Sequence, residues 1–131
     1  MRKKILLAED DPDDQELFFE FLSDRTDIDL LPPVENGEVL LERLRQASGN
    51  IDLPDAIILD QNMPKCNGLQ TLQILKSSGY HAHIPVMIYS TYIDSSLVKL
   101  GLSSGAVLVM DKPSDTEGYH SLIDELLKVL D

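Results

Sequence analysis

Four short apolar runs constrain the fold of this chain more than any other feature: Ile5-Leu6-Leu7-Ala8, Ala56-Ile57-Ile58-Leu59, Pro85-Val86-Met87-Ile88-Tyr89 and Val107-Leu108-Val109-Met110. Each stops abruptly at polar residues, and runs of this length bounded by turn formers mark strands buried on both faces of a parallel sheet. A weaker strand is expected over Ile28 to Leu31, ahead of Pro32-Pro33 and the turn-forming Glu35-Asn36-Gly37. Between the runs the apolar residues recur at helical spacing. Leu17, Phe18, Phe21 and Leu22 predict a helix over residues 12–23, with Pro12 tolerated in its first turn and acids around its start. Leu40, Leu41 and Leu44 predict a second helix, and Leu69, Leu72 and Leu75 a third. A short helix is expected from Asp94 to Leu100, and Leu122, Ile123, Leu126, Leu127 and Leu130 predict a last one. Ser48-Gly49-Asn50 and Ser103-Ser104-Gly105 read as turns. Five strands alternating with five helices predict a doubly wound (βα)5 α/β domain, and right-handed crossovers put helices on both faces of its parallel sheet.

A chain of 131 residues with 43% hydrophobic content suits one core, so residues 1–131 are expected to form one domain without an output segment. Lys and Arg total 11 against 23 Asp and Glu, and the formal charge of -12 would repel a phosphate backbone, which argues against nucleic-acid binding. The one cysteine, Cys66, leaves no internal disulfide or multi-cysteine metal cluster and reads as a loop residue. The apolar run after Arg2-Lys3-Lys4 ends at Ala8, too short for a signal peptide or membrane span, so a cytoplasmic, untargeted protein is expected.

The polar residues fall where such a sheet can use them. Glu9, Asp10, Asp60, Ser90 and Lys112 each follow a predicted strand at its carboxyl end, the side on which open α/β sheets build their sites. Asp60 is expected where its strand meets water, with Met63-Pro64 forcing a loop and Asn67-Gly68 opening the next helix. Holding Glu9, Asp10 and Asp60 ionised together requires a cation, and oxygen ligands of this kind suit magnesium, with manganese as the alternative. Lys112 can neutralise a phosphate and Ser90 can donate to one, while a carboxylate can attack phosphorus directly. Plainer readings stand beside these: Asp11, Asp13 and Asp14 as a solvated helix start, Lys112 as a surface partner of Asp111, and Ser90 as a strand-end cap. His81 and His83 precede the fourth strand and are expected at the opposite end of the sheet.

Taken together, Glu9-Asp10, Asp60-Gln61-Asn62-Met63-Pro64 with Gly68, Ile84-Pro85-Val86 leading to Ser90, and Lys112-Pro113 resemble the response-regulator receiver domains of two-component signalling over essentially the whole chain. The resemblance implies a flavodoxin-like fold and a stand-alone regulator in which Asp60 accepts a phosphoryl group from a phosphohistidine. The donor would be a sensor histidine kinase or a histidine phosphotransfer protein. It further implies that Asp10, Glu9 (mainly through water), Asp60 and the backbone carbonyl of Asn62 hold Mg2+, that Lys112 pairs with the phosphoryl group, and that Ser90 moves to it and pulls the following loop. The output would be docking to a downstream protein or relay of the phosphoryl group, by a monomer or transient dimer that catalyses only its own phosphorylation and dephosphorylation. Val109 stands where the family usually carries an aromatic switch residue. Tyr89 and Tyr92 are the candidates to replace it, against a plainer reading in which Tyr89 packs in the sheet and Tyr92 lies on the loop. Asn62 and Tyr92 stand at positions that modulate water access in similar domains, so the bulky Tyr92 is expected to slow hydrolysis. Two rival readings are a receiver-like binding module that needs no phosphorylation and a small phosphohydrolase.

Overall fold

A computed structural model describes residues 2–47, 53–77 and 81–130. The elements alternate strictly: β1 (Lys3–Ala8), α1 (Pro12–Leu22), β2 (Ile28–Leu30), α2 (Gly37–Gln46), β3 (Ala56–Asp60), α3 (Gly68–Ser77), β4 (Val86–Ser90), α4 (Ser95–Ser103), β5 (Leu108–Asp111) and α5 (Thr116–Leu130). All the strands pair in parallel, in the order β2-β1-β3-β4-β5. This is the doubly wound sheet expected from the sequence. The predicted turn at Ser48-Gly49-Asn50 lies outside the described residues.

Alternation along the central strands divides the core in two. Ile5 and Leu7 of β1, Ile58 of β3 and Met87 and Tyr89 of β4 pack with Phe18 and Leu22 of α1 and Tyr119, Leu122, Ile123 and Leu126 of α5. Leu6, Ala8, Ile57, Leu59, Val86 and Ile88 face the other way, onto Leu40 and Leu44 of α2 and Leu72 and Leu75 of α3. Because β1, β3 and β4 are covered on both faces, they read as continuous apolar runs. Near the start of β2, Arg25 ties the α1 side to α5, pairing with Asp27 at 2.7 Å and Asp124 at 2.8 Å and donating to the His120 carbonyl at 3.3 Å.

Short polar side chains start the helices. Asp11 accepts from the Asp13 amide before Pro12 enters α1, Asn36 accepts from Val39 at 2.9 Å, and Asp94 accepts from Leu97 at 2.8 Å. The last of these begins α4, which runs to Ser103, three residues beyond the expected end at Leu100. Gly101 makes that length compatible with the sheet, since a Cβ there would lie 2.8 Å from Val109 Cγ2. The helix sits directly on β5.

The β3–α3 connection is equally tight. Met63 and Gly68 amides both donate to the Gln61 carbonyl at 3.2 Å, the Leu69 amide donates to Gln61 Oε1 at 2.9 Å, and Lys65 adopts a left-handed φ of 67°. A Cβ on Gly68 would lie 2.8 Å from the Asp60 carbonyl oxygen and 3.1 Å from Gln61 Cα. These are backbone atoms with little room to yield. Gly68→Ala is therefore expected to cost about 2–3 kcal/mol and to displace the segment carrying Asp60, as urea unfolding and the amide resonances of residues 60–68 would report.

Candidate functional site

The strand stripe that faces α1 and α5 continues past the ends of the strands into polar residues. Glu9 follows Ile5 and Leu7 at period two, Asp60 follows Ile58, Tyr89 follows Met87, and Lys112 follows Leu108 and Met110. Register completes the alignment, with Ala8 opposite Leu59, Asp60 opposite Tyr89, and Tyr89 opposite Met110. These side chains meet for the same reason that the core residues beneath them do.

At the centre is the Lys112 ammonium. Its Nζ lies 2.9 Å from Glu9 Oε1, 3.0 Å from Asp14 Oδ2 and 3.5 Å from Asp60 Oδ2, and it stands 5.0 Å above the centroid of the Tyr89 ring. The Tyr89 hydroxyl donates to Glu9 Oε1 at 2.6 Å, and the Asp11 amide donates to Glu9 Oε2 at 3.2 Å. Glu9 is held at its backbone too, its amide donating to the Val34 carbonyl at 2.9 Å and its carbonyl accepting from Gln15 Nε2 at 2.6 Å. Asp60 Oδ1 accepts from the Asn62 amide at 3.3 Å. Ser90 Oγ accepts from the Tyr92 amide at 3.3 Å and from Asn62 Nδ2 at 3.5 Å.

Burial gives these contacts their weight. Glu9 is 0% exposed and Asp60 2%, so neither carboxylate is solvated as it would be on a surface. Burial first, and then the neighbouring Glu9, push the Asp60 carboxyl up to about 8, against the opposing pull of Lys112. Burial would raise Glu9 as well, but hydrogen bonds from Asp60, Tyr89, Lys112 and the Asp11 amide outweigh it and hold Glu9 below its ordinary range. The two carboxyls are thus pushed in opposite directions, Glu9 toward the charged form and Asp60 toward the neutral one. Lys112 loses solvation, yet Glu9, Asp14 and Asp60 more than offset that loss and keep it charged.

One carboxylate oxygen from each of Glu9, Asp10 and Asp60 lies within 4.8 Å of the others. A single ammonium does not balance these three and Asp14 together, and the uncompensated donors are all hard oxygens. The set fits a divalent cation of the magnesium type.

Comparison with known proteins identifies the family. The response regulator receiver domain profile matches residues 5–124. The chain belongs to the response-regulator receiver family. Receivers are the phosphoacceptors of two-component signalling and are phosphorylated on an aspartate. Among curated relatives, a probable C4-dicarboxylate response regulator, DctR, of Bacillus subtilis (strain 168) is 30% identical over 93% of this receiver, which spans about half (51%) of that protein's length. Among solved structures, that of the phosphorylated cyanobacterial phytochrome response regulator RcpA superposes with a TM-score of 0.81 at 28% identity, covering 96% of this receiver and 91% of that chain. The Mn2+-bound form of response regulator Rcp1 gives a TM-score of 0.78 at 25% identity, covering 95% and 91%. No helix among the described residues is long and apolar enough to cross a membrane.

The receiver brings together every residue singled out from sequence: Glu9, Asp10, Asp60, Asn62, Ser90 and Lys112. Several details differ. Asp60 lies in a closed pocket and not where the strand meets water, because Lys112 and the Asn62 loop cover it. Asp14 is no solvated bystander, since one turn into α1 it reaches back to Lys112. Lys112 accordingly turns inward to Glu9, Asp14 and Asp60 and not to its neighbour Asp111, which is exposed. Cys66, read as a spare loop residue, is buried, and Thr71 Oγ1 donates to its Sγ at 3.3 Å. Tyr89 does pack in the sheet, but its hydroxyl reaches the site and donates to Glu9; the period-two alternation with Met87 gives its face but not that partner. His83 lies at the far end of the sheet, beside Leu53, Pro54 and Asp55.

The shifted carboxyl has a thermodynamic consequence. The pKa of Asp60 is raised in the folded state, so its contribution to stability is complete below about pH 4 and is lost as pH rises through about 8. Glu9, held low, acts oppositely, and its contribution is lost only as pH falls below the ordinary carboxylate range. With chelator present, urea unfolding is expected to show stability declining from pH 5 to pH 8. Asp60→Asn is expected to flatten that decline and to stabilise the ion-free protein at pH 8 by about 1–3 kcal/mol.

Proposed function

We propose that Asp60 is the phosphoacceptor of this receiver and that it takes the phosphoryl group from a phosphohistidine on a sensor kinase or a phosphotransfer protein. The observation that supports this most is the placement of Asp60, a buried carboxylate between Lys112 and the Glu9–Asp10 pair. In the transfer an Asp60 oxygen attacks phosphorus, the phosphorus–nitrogen bond breaks, and the imidazole of the donor leaves with the bond's electron pair and takes up a proton. Glu9, Asp10, Asp60 and the Asn62 carbonyl are the groups that would hold Mg2+, or Mn2+ in its place. Such an ion, when bound, supplies the positive charge that keeps the carboxylates ionised together and offsets the charge on the transferring group.

The remaining work falls to side chains of the receiver. Lys112 is already within 3.5 Å of Asp60 Oδ2, so it can follow charge from the carboxylate onto a phosphoryl oxygen with a small movement. Doing so loosens its hold on Glu9 and Asp14. The Ser90 hydroxyl oxygen accepts from the Tyr92 and Asn62 nitrogens, leaving its own proton for a phosphoryl oxygen. A shift of Ser90 draws on the backbone of the 91–94 loop and so on the start of α4. Val109 offers no aromatic ring to rotate, and Tyr89 is fully buried with its hydroxyl held by Glu9. The change is therefore carried by the Ser90 loop and the α4–β5 contact, which would present the altered surface to a downstream protein. Loss of the phosphoryl group to a second histidine, when a phosphotransfer protein is added, would mark a relay and not a terminal regulator.

Incubation with Mg2+ and acetyl phosphate should add the mass of one phosphoryl group, and Asp60→Asn should abolish the adduct. An adduct that survives in that variant would place the acceptor elsewhere, absence of any adduct would favour a phosphorylation-independent binding module, and rapid turnover of many phosphate esters would favour a hydrolase. Tyr92 is 73% exposed, and its amide donates to Ser90 Oγ, so this bulky side chain stands on the loop beside the site. Tyr92→Ala is expected to speed dephosphorylation several-fold, measured as decay of the phosphorylated mass after the donor is removed.

A further inference from the structure

Tyr89 joins two parts of the site that the sequence places far apart. It is fully buried, its hydroxyl donates to Glu9 Oε1 at 2.6 Å, and its ring lies 5.0 Å beneath the Lys112 ammonium. A phenol in the interior of a sheet needs a partner, and a shorter aromatic or aliphatic residue at this place would fill the core without one. The partner is a carboxylate of the reaction centre. We infer that Tyr89 is a positioning residue that fixes the rotamer of Glu9, committing Oε1 to the phenol and Lys112 and leaving Oε2, which accepts from the Asp11 amide at 3.2 Å, available to a divalent ion. This rests on the metal-holding role proposed above for Glu9.

The geometry explains why a hydroxyl is needed. Glu9 has a flexible side chain that Lys112 already attracts at 2.9 Å and that a bound divalent ion would attract as well. With Lys112 as its only side-chain anchor, Glu9 would lose that anchor when the ammonium moves toward a phosphoryl group. Tyr89 does not move with it: the phenol is rooted in β4, packed with Phe18, Tyr119 and Ile123, and holds the carboxylate in place through the change. Groups that orient a metal-binding side chain from behind commonly change metal affinity by about ten- to a hundredfold when removed. The feature belongs to this chain's own arrangement, since it depends on Tyr89 sharing a stripe with Met87 and lying opposite Asp60.

The test is calorimetric titration of the unphosphorylated protein with Mg2+ at fixed pH, for wild type, Tyr89→Phe, Glu9→Gln and the double variant. Tyr89→Phe keeps the ring beneath Lys112 and removes only the donor. Its Mg2+ dissociation constant is expected to rise about tenfold, whereas in the Glu9→Gln background the same change is expected to have little effect, because the positioned carboxylate is gone. An unchanged dissociation constant, or equal effects in both backgrounds, would overturn the inference. Wild-type protein that takes up no Mg2+ would overturn the metal reading itself, so the two failures are distinct. A measurement on wild type covers the case of a variant that does not fold. The Tyr89 hydroxyl proton, sheltered and hydrogen-bonded to a carboxylate, should give a downfield, slowly exchanging resonance that moves with Mg2+ along the calorimetric binding curve. A rapidly exchanging proton, or one indifferent to the ion, would equally overturn the assignment.

Discussion

One buried ammonium surrounded by carboxylates is the interaction on which the rest of this receiver depends. Lys112 leaves a short edge strand, turns inward, and is met by acids from β1, α1 and β3, so a single charge ties together elements at opposite ends of the chain. Burial makes that contact strong and also makes it incomplete: one positive charge cannot satisfy all the acids around it, and burial beside Glu9 raises the Asp60 carboxyl. That deficit leaves the site ready for more positive charge. Stability and reactivity therefore share one cause. The crowding that raises the Asp60 carboxyl is what a further cation would relieve.

The surrounding fold serves to hold these groups at fixed separations. Both faces of the central strands are covered, so their carboxyl ends have little freedom, and the loop after β3 is closed by three hydrogen bonds onto the backbone and side chain of Gln61. On the opposite side of the sheet, α4 lies directly on β5 because Gly101 carries no side chain. The close packing of α4 on Val109 joins that helix to the strand. A displacement of the loop at Ser90 has a short path to that helix.

Most of the architecture could be read from the sequence, because β1, β3 and β4 are covered on both faces and the half-buried edge strand β5 is also apolar up to Met110, so four strands leave unbroken apolar runs. The acids, the hydroxyl and the lysine were legible for a related reason: each is the first or second polar residue after such a run. What escaped were residues whose role depends on a third dimension. Asp14 sits among other acids at a helix start, and nothing in its neighbours shows that one turn of helix brings it back to Lys112. Tyr89 looks like any strand aromatic until its place opposite Asp60 is known. The burial of Asp60 was missed because a strand end reads as the edge of the protein, whereas here Lys112 and the loop carrying Asn62 close over it.

The stripe that places Glu9, Asp60, Tyr89 and Lys112 side by side is an extension of core packing, and this ties spacing to chemistry as firmly as residue identity does. Losing one residue from β4 would exchange the places of Tyr89 and Ser90 across the sheet, sending the Ser90 hydroxyl toward α1 and α5 and the phenol toward α3. No side chain would have changed its type, yet the site would be turned inside out. In a domain of this kind, therefore, a one-residue deletion within a strand is a change of mechanism, whereas the connections at the opposite ends of the strands are free to vary in length without touching it.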